Sequence, residues 1–190
     1  PYLPTPVVRE KDGTFYFDRD LPQSIGKIHS FWGNFGVILR AWTYIRMLGE
    51  DGLKKVSEGA IINANYLKKR LEAVYQIAYE KTPMHECVFS GDRQKAKGAR
   101  TLDIAKRLLD YGVHAPTVYF PLIVHEALMI EPGETESKAS LDYFADAMLS
   151  IDKEISENPE LVTNAPYTTP VSRLDEGKAN RELNIRWQDI

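Results

Sequence analysis

Residues 85–130 read HECVFSGDRQKAKGARTLDIAKRLLDYGVHAPTVYFPLIVHEALMI, and this stretch specifies most of the fold. Residues 85–90 favour a strand, and residues 91–98 are predicted as a polar, basic loop. A helix is predicted from Thr101, as its N-cap, to Gly112, because apolar side chains recur there at helical spacing. Residues 117–120 and 127–130 favour two more short strands, so the stretch predicts a small sheet with a packed helix.

Long helices are predicted on both sides of this stretch. Residues 37–48 are largely apolar up to Gly49, and an apolar stripe then repeats every three or four residues over 51–79. A further helix is predicted from near Ser137 to just before Pro159. The tail from residue 161 shows no sustained periodicity, and we expect it to lie on the surface or to reach a partner.

The N-terminal region adds a β-hairpin to this order of elements. Residues 7–18 contain two β-favouring runs around Asp12-Gly13, the kind of turn that a two-residue hairpin loop requires. Helices and short strands in this order predict an α+β protein with a small, mainly antiparallel sheet. We expect helices to cover one face of that sheet and long helices to precede it.

Composition excludes several classes of protein. The 190 residues carry a formal net charge of -3, which gives no argument for binding nucleic acid or an anionic membrane surface. The single cysteine, Cys87, excludes an internal disulfide and any multi-thiolate metal site within one chain. Without an apolar run long enough to span a membrane, we expect a soluble, cytoplasmic protein. Since the sequence starts at Pro1 and not at methionine, we also expect a piece of a longer protein.

The common catalytic motifs are missing from the sequence. His-Glu occurs at residues 85–86 and 125–126, but a zinc-protease helix needs a second His four residues after the first. Phe89 and Met129 occupy those positions, so we predict no metal site. Phosphate-loop, dinucleotide-binding and nucleophile-elbow patterns are also absent. Cys87 lies in an apolar strand pattern and is interpreted as an inert buried thiol.

Three places remain as candidates for a binding site or catalysis. Residues 32–36, Trp-Gly-Asn-Phe-Gly, precede a helix and offer free backbone N–H groups beside the Asn34 amide, although a tight turn with aromatic anchors explains them equally well. His85 could serve a site or simply pack beside its strand. Arg100, just before a predicted helix N-terminus, could help to hold a carboxylate or phosphate there.

Several longer motifs resemble a known family. They are Ser24-Ile25-Gly26, Gly33-Asn34-Phe35-Gly36, Asn63-Ala64-Asn65-Tyr66-Leu67, Met84-His85-Glu86, the whole of residues 100–112, Pro116-Thr117-Val118-Tyr119-Phe120-Pro121 and residues 131–137. Together they look like the C-terminal part of glycine dehydrogenase (decarboxylating), the P-protein of the glycine cleavage system. The tail, residues 168–187, is most similar to subunit 2 of the split prokaryotic form.

This resemblance implies the small domain of a fold-type-I pyridoxal-phosphate enzyme. In that family the cofactor acts as an electron sink while glycine loses CO2, and the aminomethyl group passes to the lipoyl arm of the H-protein. The implied partners are glycine, the lipoylated H-protein and P-protein subunit 1 in a heterotetramer. The family's Schiff-base lysine lies upstream of this sequence and no lysine here matches its motif. We therefore expect this chain alone to be inactive and not to bind the cofactor stably.

The resemblance also suggests a division of the chain and a set of site residues. Residues 1–35 would form the hairpin and a connection, 36–79 long linking helices, 80–160 the small α+β domain and 161–190 a C-terminal tail. The site residues are expected to be Asn34 and His85 as catalytic groups, Arg100 against a carboxylate, and Glu131 and Glu134 at an entrance. The alternative from another class is a non-catalytic interaction module or an amino-acid-binding regulatory module.

Overall fold

The computed structural model describes residues 2–28, 33–183 and 185–186. By its internal contacts the chain divides into two compact units, Pro1–Leu53 and Lys54–Ile190, and each is described by itself. No helix among the described residues combines the length and the apolarity that crossing a bilayer requires.

The first unit contains the predicted hairpin. Strands β1 (Val7–Lys11) and β2 (Thr14–Asp18) are antiparallel, and Lys11 pairs with Thr14 across a two-residue loop. Both loop residues have positive φ, 51° at Asp12 and 73° at Gly13, as a type I′ turn requires. The hairpin prediction is confirmed.

Helix α1 (Phe35–Leu71) begins in the first unit and ends in the second. It is interrupted at Gly49, where φ 64° and ψ -172° are not helical, so the predicted break between two helices is confirmed. The prediction that the second helix reaches Tyr79 is wrong, because the helix ends at Leu71. Residues Gln76–Ile77 instead form strand β3, which pairs with the strand at Cys87–Ser90, and this long-range pairing outweighs the local helical pattern.

The second unit contains a four-stranded sheet. Its strands are β3, β4 (Cys87–Ser90), β5 (Thr117–Val118) and β6 (Ala127–Ile130), in the order β3-β4-β6-β5 with every pair antiparallel. The register aligns one apolar row across all four strands, and residues directly opposite share a face. This row consists of Ile77, Phe89, Leu128 and Val118. β5 ends two residues earlier than predicted, because Tyr119 has a positive φ of 58°.

Helices pack against this row to form the core. They are α2 (Asp92–Ala96), α3 (Thr101–Asp110), α4 (Lys138–Glu157) and α5 (Pro159–Thr163), while α6 (Glu176–Arg181) carries no buried residue. The buried core side chains from the helices include Leu71, Ile104, Leu108, Met148 and Ile151. The α+β class with an antiparallel sheet is confirmed.

Three sequence predictions in this region need correction. Residues 91–98 are not only a loop, since α2 forms there around the fully buried Gln94, which donates to the Asp152 carboxylate at 2.6 Å. The N-cap of α3 is Arg100 and not Thr101, whose hydroxyl donates to the distant backbone oxygen of Glu126 at 2.8 Å. The start of the tail does not lie on the surface, because Val162 of α5 and Ala165 are fully buried, while α6 further along carries no buried residue.

Candidate functional site

The pairing of β4 with β6 brings the predicted site residues His85 and Glu131 to the same end of the sheet. Cys87 lies opposite Ile130 in an antiparallel register, so the chain entering β4 runs beside the chain leaving β6. A cavity of about 440 Å³ lies at this end, and we call it the His85 cavity. Its walls are Val56, Ser57, Ala60 and Ile61 of α1, Met84 and His85 before β4, and Glu131, Pro132, Gly133 and Glu134 after β6.

Two asparagines of α1 hold the two loops that form the cavity. The Asn63 side-chain amide donates to the backbone oxygen of Gly133 at 2.9 Å. The Asn65 amide donates to the backbone oxygen of Pro83 at 2.9 Å, two residues before His85. Each loop is therefore tied to the same helix by a hydrogen bond between residues far apart in the sequence.

A third side chain of α1 supports the loop before β4. The Lys68 ammonium donates to the backbone oxygens of Glu80 and Lys81 at 2.8 and 2.9 Å. The sequence patterns alone do not predict that Asn63, Asn65 and Lys68 hold these loops. The available signal was two asparagines inside a helix, since asparagine disfavours helix interiors unless its amide has a specific partner.

The cavity is lined by two carboxylates and one imidazole ring. Glu131 and Glu134 contribute carboxylates, and neither has a hydrogen bond or ion pair with any other part of the described chain. The His85 ring is 66% exposed, and its Nε2 lies 3.6 Å from Oε2 of Glu86. No lysine or arginine is among the described wall residues.

The groups that line the His85 cavity determine which ligand charges it can accept. The imidazole of His85 can accept or donate a proton at its ring nitrogens. Two carboxylates without a basic neighbour attract an ammonium group and repel an anion. The His85 cavity therefore suits a cationic or neutral group and does not suit a phosphate.

Arg100 is not among the residues that line the His85 cavity. Its Nε lies 3.8 Å from Oε1 of Glu126, and its guanidinium lies over the ring of Tyr119, 5.8 Å from the centroid. Oε1 of Glu126 also pairs with Lys95 at 2.9 Å, and Oε2 accepts the backbone N–H of Thr101 at 3.0 Å. The N-terminus of α3 thus already holds a carboxylate of the chain itself, and a role for Arg100 toward a substrate stays a prediction.

The Glu126 carboxyl is ionised more readily than usual because of these contacts. Burial by itself raises its pKa, but the hydrogen bonds from Thr101 and Lys95 outweigh burial and leave the pKa below its ordinary value. A negative charge at a helix N-terminus also interacts favourably with the helix dipole. Glu126 therefore links β6, α2 and α3 through one buried anion.

Asn34 lies in the first unit, where its side chain has a structural contact. Its Oδ1 accepts the backbone N–H of Val37 at 3.2 Å, so the amide oxygen caps the start of α1. Trp32, one of the two aromatic residues of the predicted loop, lies outside the described residues. The catalytic role suggested for Asn34 stays a prediction, as do those suggested for His85, Glu131 and Glu134.

The fold and the cavity define a class of protein: an α+β domain whose antiparallel sheet meets a long helix at an acidic cavity. Residues 56–168 match the family model described as glycine dehydrogenase, C-terminal domain. The chain belongs to this glycine dehydrogenase C-terminal domain family. The resemblance read from the sequence motifs is thereby confirmed.

Named relatives agree with the family model. The chain is 62% identical over 186 residues to the probable glycine dehydrogenase (decarboxylating) subunit 2 of Pelodictyon phaeoclathratiforme, covering 97% of this chain and 39% of that protein. It is 58% identical over 189 residues to the protein of that name from Lysinibacillus sphaericus, covering 99% and 39%. The corresponding protein of Caldanaerobacter subterraneus is 56% identical over 186 residues, covering 98% and 38%. The chain thus spans less than two fifths of the length of these relatives.

Proposed function

We propose that this chain is the C-terminal part of a glycine dehydrogenase (decarboxylating), an oxidoreductase. With pyridoxal phosphate, the whole enzyme would release CO2 from glycine and pass the aminomethyl group to the lipoyl arm of the H-protein. The observation that supports this proposal most strongly is 62% identity, across 97% of the chain, to a protein of that name. Because the relatives are named subunit 2, we further propose a partner subunit 1 in a heterotetramer.

The residues of the His85 cavity do not fit the site that would hold pyridoxal phosphate. That cofactor needs a lysine amine for its covalent link and positive or N–H groups for its phosphate. The described walls contain neither lysine nor arginine, and their two free carboxylates repel a phosphate. We therefore propose that this chain contributes a wall near the substrate and does not anchor the cofactor.

Within that wall, each side chain has a proposed task that follows from its chemistry. His85 would give or take a proton at its ring nitrogen. Glu131 and Glu134 would attract the ammonium group of glycine at the entrance. For Arg100 and Asn34 the tasks toward substrate compete with the contacts to Glu126 and Val37, so we propose them only as secondary contributors.

The proposal is tested by measuring CO2 release from carboxyl-labelled glycine with the full-length enzyme and its variants. A general acid or base contributes a factor of about 10² to 10⁴, so His85→Ala is expected to lower the rate by at least about a hundredfold. Glu131→Gln with Glu134→Gln should raise KM more than it lowers kcat. Glu157→Gln is the control, because Glu157 is exposed on α4 and, among the described residues, forms an ion pair only with Lys153 at 3.7 Å.

Different results would contradict different parts of the proposal. Unchanged CO2 release by both His85→Ala and the double carboxylate variant would remove these residues from the site, while leaving the family assignment intact. Absence of CO2 release by the wild-type full-length protein with its partner subunit, cofactor and H-protein would contradict the activity and favour the regulatory-module alternative.

A second measurement tests the cofactor part of the proposal. The 190-residue chain is mixed with pyridoxal phosphate, and the cofactor absorbance is recorded before and after borohydride reduction. We expect no stoichiometric covalent adduct on this chain and one adduct on the full-length enzyme. An adduct on the short chain would show that one of its own lysines anchors the cofactor.

A further inference from the structure

A second cavity of about 590 Å³ shares Glu131 and Pro132 with the His85 cavity but has otherwise different walls. Its walls come from Leu67 of α1, from the segment between α3 and β5, from β5 and β6, from the segment between β6 and α4, and from the first turns of α4. We call it the β5 cavity. Its volume falls within the range of about 300 to 1,000 Å³ that is typical of small-molecule sites.

The deep walls of the β5 cavity are apolar. Leu67, Ile130 and Leu141 line it, and all three belong to the buried core of the second unit. Met129 and Phe144 extend the apolar surface toward the opening. An alkyl chain that enters the cavity is transferred from water to this apolar surface. Each methylene buried in this way raises affinity about fourfold.

The side chains that line the β5 cavity include two carboxylates and one imidazole, that of His114. Glu131 and Glu136 contribute carboxylates, and no lysine or arginine is among the described residues that line it. The Glu136 carboxylate accepts the hydroxyl of Ser140 at 2.7 Å, which fixes its position at the start of α4. Lys138 is close in sequence, but its ammonium pairs with Asp142 at 2.6 Å.

We propose that the β5 cavity binds an alkylammonium compound, a small molecule with an apolar chain and one positively charged amine. The apolar walls take the chain, and the carboxylates of Glu131 and Glu136 take the ammonium group at the opening. An alkyl carboxylate of the same length is repelled by the same two groups, and an alkyl alcohol gains only the apolar contacts. This proposal does not depend on the proposed decarboxylase activity.

The probe for the test is n-hexylammonium chloride, with hexanoate and hexan-1-ol as matched ligands of the same chain length. Binding to the full-length protein is measured by calorimetry at low ionic strength. We expect saturable binding of hexylammonium at least about tenfold tighter than that of either matched ligand. Added salt should weaken the binding of hexylammonium and leave that of hexan-1-ol unchanged.

Variants locate the binding to this cavity. Glu136→Gln should weaken hexylammonium about threefold, and Glu131→Gln with Glu136→Gln about tenfold, since each exposed ion pair contributes modestly. Thr117→Phe places a bulky ring in the opening, at an exposed strand position that tolerates an aromatic residue, and should abolish binding. Glu134→Gln is the matched control, because Glu134 lines the His85 cavity and not the β5 cavity.

Each other outcome overturns the proposal. Equal affinity for hexylammonium and hexan-1-ol would show that the carboxylates do not recognise the amine. Weakening by Glu134→Gln together with unchanged binding to Thr117→Phe would place the amine in the His85 cavity. Circular dichroism of each variant shows that a loss of binding is not a loss of folding. No saturable binding at all would show that the β5 cavity is not an amine site.

Discussion

The conformation and the ionisation of single residues in this protein depend on contacts with distant parts of the chain. Glu126 shows this most clearly, because its φ of 47° lies where residues other than glycine are uncommon. Its side chain is 3% exposed, and its carboxylate contacts both Lys95 and the backbone N–H of Thr101. The cost of this backbone conformation is offset by the contacts that the buried anion makes.

Replacing Glu126 by glutamine is expected to destabilise the fold by about 1.5 kcal/mol at pH 7, because hydrogen bonds to a charged group are stronger than neutral ones. The folded-state pKa of Glu126 lies below its ordinary value. Its ionisation therefore stabilises the fold at pH values above the unfolded pKa of about 4.3, and this stability is lost as pH falls.

Urea unfolding of Glu126→Gln and wild type between pH 3 and pH 8 tests this prediction. The difference should be largest above about pH 5 and should shrink toward pH 3. Glu157→Gln serves as the exposed control and should change stability by less than about 0.5 kcal/mol. A difference that grows as pH falls would contradict the assigned ionisation state.

Cys87 gives a second prediction at this scale. Burial, the main cause, raises the pKa of its thiol to about 12, and the residue is 3% exposed. Because only the thiolate reacts, we expect no modification by a disulfide reagent at pH 8 in the folded protein and complete modification in denaturant. Rapid labelling without denaturant would show that β4 opens or that the thiol is reachable.

At the scale of elements, two glycines of α1 lie in different backbone conformations. Gly49 has a positive φ at the helix break, whereas Gly59 is helical, and a Cβ added there would meet the Cβ of Glu134 at 3.5 Å, an ordinary contact. Alanine is strained at the positive φ of Gly49, whereas at position 59 it has a higher helix propensity than glycine. Replacing Gly49 by alanine should therefore destabilise the fold, and replacing Gly59 by alanine should stabilise it.

Gly49→Ala is expected to lower the free energy of unfolding by about 1 kcal/mol, and Gly59→Ala to raise it by about 0.5 to 1 kcal/mol. Each variant acts as the control for the other, since both change one glycine in the same helix. Urea unfolding followed by circular dichroism measures both. If Gly49→Ala proves as stable as wild type, the break does not require a glycine.

Elements with a strong local pattern could be predicted from sequence, and those that depend on pairing could not. The hairpin and the start of α4 follow from turn and capping residues, and the Ser137 hydroxyl accepts the N–H of Ser140 as an N-cap does. β3 consists of two residues and exists only because it pairs with β4. α2 is a single short helix whose central residue, Gln94, is held by Asp152 of α4.

At the scale of the whole molecule, the first half of α1 exposes an unusually apolar surface. At least half of the surface of each of several large side chains is exposed there: Phe35 75%, Val37 57%, Ile38 52%, Trp42 58%, Ile45 51% and Met47 80%. A helix that is apolar on all sides is ordinarily buried. A surface of this kind promotes association in water.

We therefore expect the 190-residue chain to self-associate as its concentration rises. Ile38→Glu with Ile45→Glu should shift sedimentation velocity profiles toward the monomer. Ile123→Glu is the control, because Ile123 is 85% exposed in the loop between β5 and β6 and not in α1. A wild-type chain that stays monomeric at all concentrations, or a control variant that dissociates equally well, would contradict an association through α1.

The sequence by itself determined the α+β class, most helices and strands, and the family, because periodicity, turn residues and long motifs are properties of neighbouring residues. Only the tertiary structure decided which residues line the His85 cavity. His85 and Glu131 line the same cavity because Cys87 pairs with Ile130. Asn63 and Asn65 hold the loops of this cavity through hydrogen bonds to the backbone oxygens of Gly133 and Pro83. Arg100 likewise pairs with Glu126, which is distant in the sequence, and does not line the His85 cavity. Such contacts join distant residues through one register of the sheet, and no local pattern encodes that register.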